Sequence, residues 1–187
     1  MLIATERLVL RRFRDSDAGT LSAYRSDPAV ARYQSWAAPY SLEQARAAVA
    51  SFAAADPLSP GWFQWAIERT ADRAHIGDLG VNRHENRMRA ELGFTLALSC
   101  QGQGYATEAV RGMLGHLFRV EGLHKVSAEC DARNTASARV LERAGFTREG
   151  HLRSHTWIKN EWTDDLLYGL LARDWISRPD PPPGQER

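Results

Sequence analysis

The feature that most constrains the fold of this chain is an abrupt change of hydrophobic period between residues 90 and 118. Residues 90–98 form a mostly apolar run with the β-favouring Phe94 and Thr95, and residues 99–104 contain two glycines and no bulky apolar side chain. The stretch therefore predicts a strand, a tight glycine turn and a helix in succession. The apolar residues at helical spacing are Ala106, Ala109, Val110, Met113, Leu114, Leu117 and Phe118.

The glycine turn, residues 101–106, leads directly into the predicted helix. The first amides of a helix have no intrahelical partner, and the helix dipole places partial positive charge there. Because glycine also lets the backbone approach an anion closely, the turn favours a phosphate site. From the glycines alone, a turn that only caps the helix and binds no ligand is equally well supported. The turn is not a P-loop, because no Gly-Lys-Ser/Thr follows, and Thr107 stands where a dinucleotide fingerprint has its third glycine.

The remaining pattern predicts a single α/β domain over residues 1–177, and residues 178–187, with four prolines, predict a disordered tail. The order is one strand, helices, three strands that suit an antiparallel meander, a helix, a strand, a helix and a hairpin, which favours a mixed sheet. Predicted strands are 6–13, 62–69, 74–82, 90–98, 124–130, 146–157 and 162–171, and predicted helix caps are Asp15, Asp27 before Pro28, Ser41 with Gln44, Asn134, and Gly145 at a C-terminus.

Composition narrows the function classes. The chain has 24 basic and 23 acidic residues, so nothing favours nucleic acid or an acidic membrane surface as a partner. Its two cysteines, Cys100 and Cys130, form no CxxC or metal-type cluster and predict reduced thiols. With neither a secretory signal nor an apolar run long enough for a membrane span, the sequence predicts a cytoplasmic protein. We expect a monomer or a homodimer, and no bound metal.

Four segments between residues 5 and 168 share a further pattern. They are TERLVLR at 5–11, Q-x-x-G-x-A at 101–106, N-x-x-S at 134–137 with Gly-Phe at 145–146, and WTDDLLY at 162–168. In this order they resemble the GNAT superfamily of N-acetyltransferases, and the first and last resemble its ribosomal-protein, or Rim-type, branch. The resemblance implies a GNAT-like α/β fold with a mixed, mostly antiparallel central sheet flanked by helices. It also implies that the strands on either side of the glycine turn and its helix splay apart to hold a pantetheine arm.

The resemblance further implies that acetyl-CoA is bound largely by main-chain groups of the central strand and the glycine turn. Asn134 is expected to cap the following helix and, by resemblance, to contact the cofactor. The cofactor-binding residues implied are Phe94, Thr95, Leu96, Gln101, Gly102, Gln103, Gly104, Tyr105, Ala106 and Asn134.

Acetyl transfer to an amine needs a neutral nucleophile, stabilisation of an oxyanion and a proton for the leaving thiolate. Glu91 is the favoured base, although it could equally be a strand-end carboxylate paired with an arginine at 87 or 89, and His84 and Glu85 are reserves. Ser137 is favoured as the hydroxyl that stabilises the thiolate, with a plain first-turn residue as its alternative. Neither cysteine has a neighbouring base in sequence, so direct transfer is expected.

The acceptor site is the least defined. Tyr33 and Trp36 could line a pocket, with Tyr40 beside them and Trp62 or Trp65 opposite, or could simply pack, while His84 and His155 could contact the acceptor. An α-amine has a pKa of about 7.7–8.0, whereas deprotonating a lysine amine at pH 7 costs about 4.6 kcal/mol. A protein N-terminus, the acceptor that the Rim-type resemblance implies, is therefore chemically undemanding and is the preferred acceptor. A small amine such as an antibiotic or polyamine is the alternative acceptor, although the near-zero net charge argues mildly against the strongly acidic pocket that a cationic antibiotic would need. A non-catalytic acyl-CoA-binding module is a third hypothesis.

Overall fold

The computed structural model describes residues 2–176, so the predicted disordered tail lies outside the described residues. Within that range no helix has the length and apolar character needed to cross a membrane. The strands are β1 (Ile3–Ala4), β2 (Leu8–Arg11), β3 (Gly61–Arg69), β4 (His75–Arg83), β5 (Arg89–Leu96), β6 (Lys125–Asp131), β7 (Thr147–Ile158) and β8 (Glu161–Leu171). The helices are α1 (Ala18–Arg25), α2 (Pro28–Ala31), α3 (Leu42–Ala54), α4 (Tyr105–Arg119), α5 (Thr135–Ala144) and α6 (Ala172–Ile176).

The eight strands form one sheet in the order β1-β2-β3-β4-β5-β6-β8-β7. Only the β5–β6 pair is parallel, because α4 crosses over between these strands, and the other neighbours are antiparallel. The predicted α/β fold with a mixed, mostly antiparallel sheet is therefore confirmed.

Helices cover both faces of the sheet. On β3, Phe63, Trp65 and Ile67 join the core cluster that contains the apolar face of α4, whereas Ala66 belongs to the cluster beneath α1 and α3. Alternate residues of a strand point to opposite faces, which explains how one strand serves both layers. The predicted α4 residues Ala109, Val110, Met113, Leu114 and Leu117 are all fully buried.

Local capping explains most helix boundaries. Asp27 accepts a hydrogen bond from the Ala29 amide at 2.8 Å, and Ser41 and Gln44 form the predicted reciprocal capping box. Gly145 ends α5 in the left-handed conformation, with φ 108°.

The cap predicted at Asp15 is wrong. Asp15 opens a 3-10 turn that ends at Asp17, and α1 begins at Ala18. The carboxylate of Asp17 instead accepts from the Arg14 amide at 2.7 Å and from the buried Arg11 guanidinium at 2.7 and 2.8 Å. The predicted strand over 6–13 is also shorter in the structure, since β2 covers only Leu8–Arg11.

The parallel strands β5 and β6 separate along their length. Their pairing runs from Arg89 opposite Lys125 to Leu92 opposite Ala128 and then stops, although β5 continues to Leu96 and β6 to Asp131. The carboxyl-terminal halves of the two strands therefore leave a gap in the sheet, in agreement with the splay that the resemblance implied.

Candidate active site

A first cavity, here called the loop cavity, lies where the gap between β5 and β6 meets the starts of α4 and α5. Its volume is about 360 Å³. All of the predicted cofactor-binding residues except Gln103 line it, together with Ser137. Other lining residues are Ala29, Val30, Tyr33, Gln34, Thr107, Ala136, Arg139, Val140 and Arg143.

The glycine turn takes its shape from two left-handed residues. Gly102 has φ 74° and Gly104 has φ 81°, a conformation that glycine adopts without steric cost. The Gln101 side chain donates to the Leu96 carbonyl at 3.0 Å, and the Gln103 side chain donates to the Ser99 carbonyl at 2.9 Å, which turns it away from the cavity. The first α-helical bond of α4 runs from the Glu108 amide to the Gly104 carbonyl at 3.0 Å, so the amides before it can face an anion.

A network from the N-terminal segment holds this turn from behind. The carboxylate of Glu108, in the first turn of α4, accepts from the Thr5 hydroxyl at 2.6 Å, the Arg7 amide at 2.7 Å and Arg7 Nε at 2.6 Å. Arg7 also donates through Nη1 to the Gln103 carbonyl at 3.1 Å, and its guanidinium lies 4.8 Å from the centre of the Tyr105 ring. The TERL segment therefore contacts the glycine turn directly. Sequence reasoning missed Glu108, because the contact spans about a hundred residues and Glu108 has no local signal.

The start of α5 forms the opposite side of the loop cavity. Asn134 caps the helix as predicted, accepting from the Ser137 amide at 3.1 Å. Among residues 2–176, the Ser137 hydroxyl has no hydrogen-bond partner and remains available to a ligand. Arg139 and Arg143 also line this cavity and add positive charge to it.

A second cavity, here called the sheet cavity, lies on the sheet face beneath α1 and α2. Its volume is about 540 Å³. It shares Tyr33, Gln34, Phe94 and Thr95 with the loop cavity, so the two cavities adjoin at the central strand β5. Its other lining residues are Arg25, Ser35, Trp36, Trp62, Gln64, Asp78, Gly80, Glu91, Gly93, Glu129, Cys130, Asp131, Thr156, Ile158, Thr163 and Asp165.

The predicted acceptor-site residues are only partly brought together. Tyr33 lines both cavities, and Trp36 lines the sheet cavity while its indole N–H donates to the Arg25 carbonyl at 3.1 Å. His84 lies in the β4–β5 turn, 3.3 Å from Arg89 Nη2, and lines neither cavity. His155 is exposed, and one of its ring nitrogens lies within 4.8 Å of carboxylate oxygens of Glu129 and Asp165.

The aromatic residues considered around the acceptor differ in their positions. Trp62 lines the sheet cavity, but Trp65 is fully buried in the core on the other face, against Phe63. Tyr40 packs against the Arg25 guanidinium instead of lining the cavity. Alternation along β3 therefore decides which of the two tryptophans reaches the site.

The sheet cavity is acidic, contrary to the expectation from net charge. Among the described residues that line it, five are carboxylates and Arg25 is the only lysine or arginine. Asp78 lies 3.4 Å from Arg25, and Asp131 lies 2.7 Å from Arg133. Within the described range, Glu91, Glu129 and Asp165 have no lysine or arginine partner, so the predicted alternative of Glu91 paired with an arginine at 87 or 89 is not observed.

Burial and crowding affect two titratable groups here. Burial, followed by the nearby charge of Asp165, raises the pKa of Glu129. Burial, followed by the charge of Asp131, raises the pKa of the Cys130 thiol to about 11. A thiol with so high a pKa is a poor nucleophile at neutral pH, which supports direct transfer over an acyl-enzyme.

Comparison with known proteins decides the family. Residues 7–147 match the family model described as an acetyltransferase (GNAT) domain. The chain belongs to the GNAT family. Among GNAT relatives it is similar to the uncharacterized N-acetyltransferase YoaA of Bacillus subtilis, at 30% identity over 91% of this chain and 96% of the relative. It is also similar to the ribosomal protein uS5-alanine N-acetyltransferase of Escherichia coli, at 28% identity over 52% of this chain and 53% of the relative.

A solved GNAT structure supports the fold assignment. The ribosomal L7/L12 α-N-protein acetyltransferase RimL, in complex with coenzyme A, matches with a TM-score of 0.80 at 22% identity, over 91% of this chain and 98% of that chain. The fold of this chain is therefore that of a GNAT N-acetyltransferase.

Proposed function

We propose that this GNAT enzyme transfers an acetyl group from acetyl-CoA directly to a primary amine, with the α-amine of a protein N-terminus as the preferred acceptor. The observation that carries the proposal is that two cavities of different chemistry adjoin at Phe94 and Thr95. The loop cavity offers backbone amides and arginines, which suit phosphates, and the sheet cavity offers carboxylates, which suit an amine.

The residues present fit acetyl-CoA. The amides of the glycine turn and of the first turn of α4 suit the pyrophosphate, and Arg139 and Arg143 of α5 line the same cavity from the opposite side. Phe94, Thr95 and Leu96 lie past the point where β5 and β6 stop pairing, so their side of the gap is open to an extended arm. The bound co-substrate supplies an activated acetyl thioester.

Glu91 lines the acceptor side and has no ion-pair partner in the described part of the chain, so it is suited to take a proton from the amine directly or through water. As the nitrogen–carbon bond forms, N–H groups of β5 in the gap stabilise the charge that develops on the carbonyl oxygen. As the carbon–sulfur bond breaks, we expect the hydroxyl of Ser137, which lines the loop cavity, to donate a hydrogen bond to the sulfur.

An N-terminal α-amine is the acceptor that needs the least help from a catalytic base, because a substantial fraction of it is already neutral near pH 7. The uS5-alanine and L7/L12 α-N-protein acetyltransferases support a protein acceptor of this kind. A cytoplasmic location stays a prediction from the sequence.

The test is an acetyl-CoA-dependent transfer assay on peptides with free and blocked N-termini, followed by mass spectrometry. We expect product only from free amines, a loss of roughly 100-fold in kcat for Glu91→Gln, and a loss of roughly tenfold for Ser137→Ala. Glu43→Gln, an exposed carboxylate at the start of α3, is the matched control. Acetyl-CoA binding without product from any amine would instead indicate a binding module.

A further inference from the structure

The three carboxylates of the sheet cavity that lack a lysine or arginine partner within residues 2–176 form a row across adjacent strands. Glu91 on β5 lies opposite Ser127 of β6, Glu129 is two residues further along β6 on the same face, and Asp165 on β8 lies opposite Asp131. The row therefore begins at the proposed base and extends away from it, across the region where β5 and β6 separate.

The row is held in place at its far end. Asp165 is only 4% exposed, and its carboxylate accepts from the Thr156 hydroxyl at 2.6 Å. A hydroxyl partner orients a carboxylate but leaves its charge uncompensated. Glu129, next to it, is an exposed residue whose pKa is raised by partial burial of its carboxylate and then by the charge of Asp165. His155, with a ring nitrogen within 4.8 Å of oxygens of both carboxylates, is the nearby group that can carry a positive charge.

A neutral group on the same wall also lacks a donor. The amide oxygen Oε1 of Gln64 is buried without a hydrogen-bond partner within residues 2–176. Its side chain lies over Gly80, where a Cβ would come within 2.7 Å of Gln64 Nε2, so a larger residue at 80 would displace this amide. The wall thus presents an excess of hydrogen-bond acceptors, which suits a ligand rich in N–H donors.

We infer that the acceptor carries a second positively charged group, which Glu129 and Asp165 bind while its reacting amine lies at Glu91. The inference rests on the proposed function and names its acceptor class, a primary amine with a further cation. Two sources share this chemistry, namely a peptide whose second or third residue is lysine or arginine, and a free polyamine.

The experiment measures kcat/KM for three N-terminal peptides that differ only at the second residue, which is lysine, serine or glutamate, and for spermidine with its mono-amine analogue butylamine. We expect the wild-type enzyme to prefer the lysine peptide over the serine peptide by about tenfold, which is the scale of one charge-assisted contact. Glu129→Gln is expected to remove most of this preference while changing kcat/KM for the serine peptide little. Asp165→Asn is a second variant with the same expected result, and Glu43→Gln is the charge control.

The arms separate the possible sources. Preference for the lysine peptide assigns a protein acceptor, and preference for spermidine over butylamine without a peptide preference assigns a polyamine. Product formation that ignores the second charge in both series overturns the inference but leaves the proposed function intact, whereas no product from any amine overturns the proposed function itself. A preference for the glutamate peptide that disappears in EDTA would assign Glu129, Asp165 and His155 to a metal ion and would also overturn the inference.

Discussion

Replacing Glu108 tests whether the N-terminal segment positions the cofactor turn. Glu108→Ala removes the carboxylate that accepts hydrogen bonds from the Thr5 hydroxyl, the Arg7 amide and Arg7 Nε. Arg7 then loses its main anchor, although it also donates to the Gln103 carbonyl in the turn. We expect the turn to become less ordered and acetyl-CoA to bind more weakly.

The magnitude follows from the burial of the partners. The Glu108 side chain is 14% exposed and the Arg7 side chain is 41% exposed, so the ion pair itself contributes only about 0.5–1 kcal/mol. Leaving the half-buried Arg7 amide without its acceptor costs about 1–2 kcal/mol more. The free energy of unfolding should therefore fall by about 1.5–3 kcal/mol, whereas for Glu108→Gln, which keeps an acceptor oxygen, it should fall by about 1 kcal/mol.

The assay combines urea unfolding with calorimetric titration of acetyl-CoA. We expect the Kd of Glu108→Ala to rise about tenfold and that of Glu108→Gln to rise less. Glu121→Ala is the matched control, because Glu121 pairs with the buried Arg83 just beyond the other end of α4, with 2.8 Å between Arg83 Nε and Glu121 Oε2. The control should lose about 3–5 kcal/mol of stability and keep its affinity. Equal acetyl-CoA affinity for Glu108→Ala and wild type would refute the positioning role.

Three further predictions concern the sheet and its buried groups. Gly77→Ala should destabilise the fold by more than about 2 kcal/mol and weaken acetyl-CoA binding, because its Cβ would lie 2.2 Å from the Thr95 carbonyl oxygen. Gly169→Ala should destabilise the fold less, since the nearest atoms to its Cβ belong to the movable Glu149 side chain. Urea unfolding measures the stability of both variants. Cys130, with its pKa raised to about 11, should react with iodoacetamide at pH 8 at least about 100-fold more slowly in the folded than in the urea-unfolded protein, and equal rates would show that the thiol is not protected. Burial lowers the pKa of His75 in the folded state, so the unfolded state binds the proton more readily, and stability should fall as the pH drops below about 6.5. In thermal melts His75→Gln should show a smaller loss between about pH 6.5 and 5, and an unchanged slope would contradict this account.

The parts of the fold that are encoded locally were predictable. Helix α4 begins at Tyr105, where the hydrophobic period changes, and α5 begins after the Asn134 cap and ends at Gly145. Capping and periodicity depend on residues within one or two turns, so a single sequence displays them. Asp15 shows the limit of this reasoning, because Asp17 binds Arg11 and the helix starts two residues later than a cap at Asp15 predicts.

The acceptor side depends on strand register, which the sequence does not display. Glu129 and Asp165 read as ordinary polar positions of strands, and only the pairing of β6 with β8 brings them towards Glu91. His84 is close to Glu91 along the chain, but it lies in the β4–β5 turn, whereas Glu91 lies within β5 opposite Asn82 of β4, so a short separation in sequence does not place His84 at the cavity. The net charge of the whole chain did not predict the acidic sheet cavity, because it averages over surfaces that the fold separates.

The most direct test of the central claim is calorimetric titration of the purified protein with acetyl-CoA, with coenzyme A and ATP as comparison ligands and Gly104→Val as the variant. Valine cannot readily adopt the φ of 81° that Gly104 has at the start of α4. The account predicts that the wild-type protein binds acetyl-CoA and coenzyme A with comparable affinity and does not bind ATP. It also predicts that a folded Gly104→Val protein loses the binding of both CoA species. A folded wild-type protein that binds neither CoA species would contradict the account.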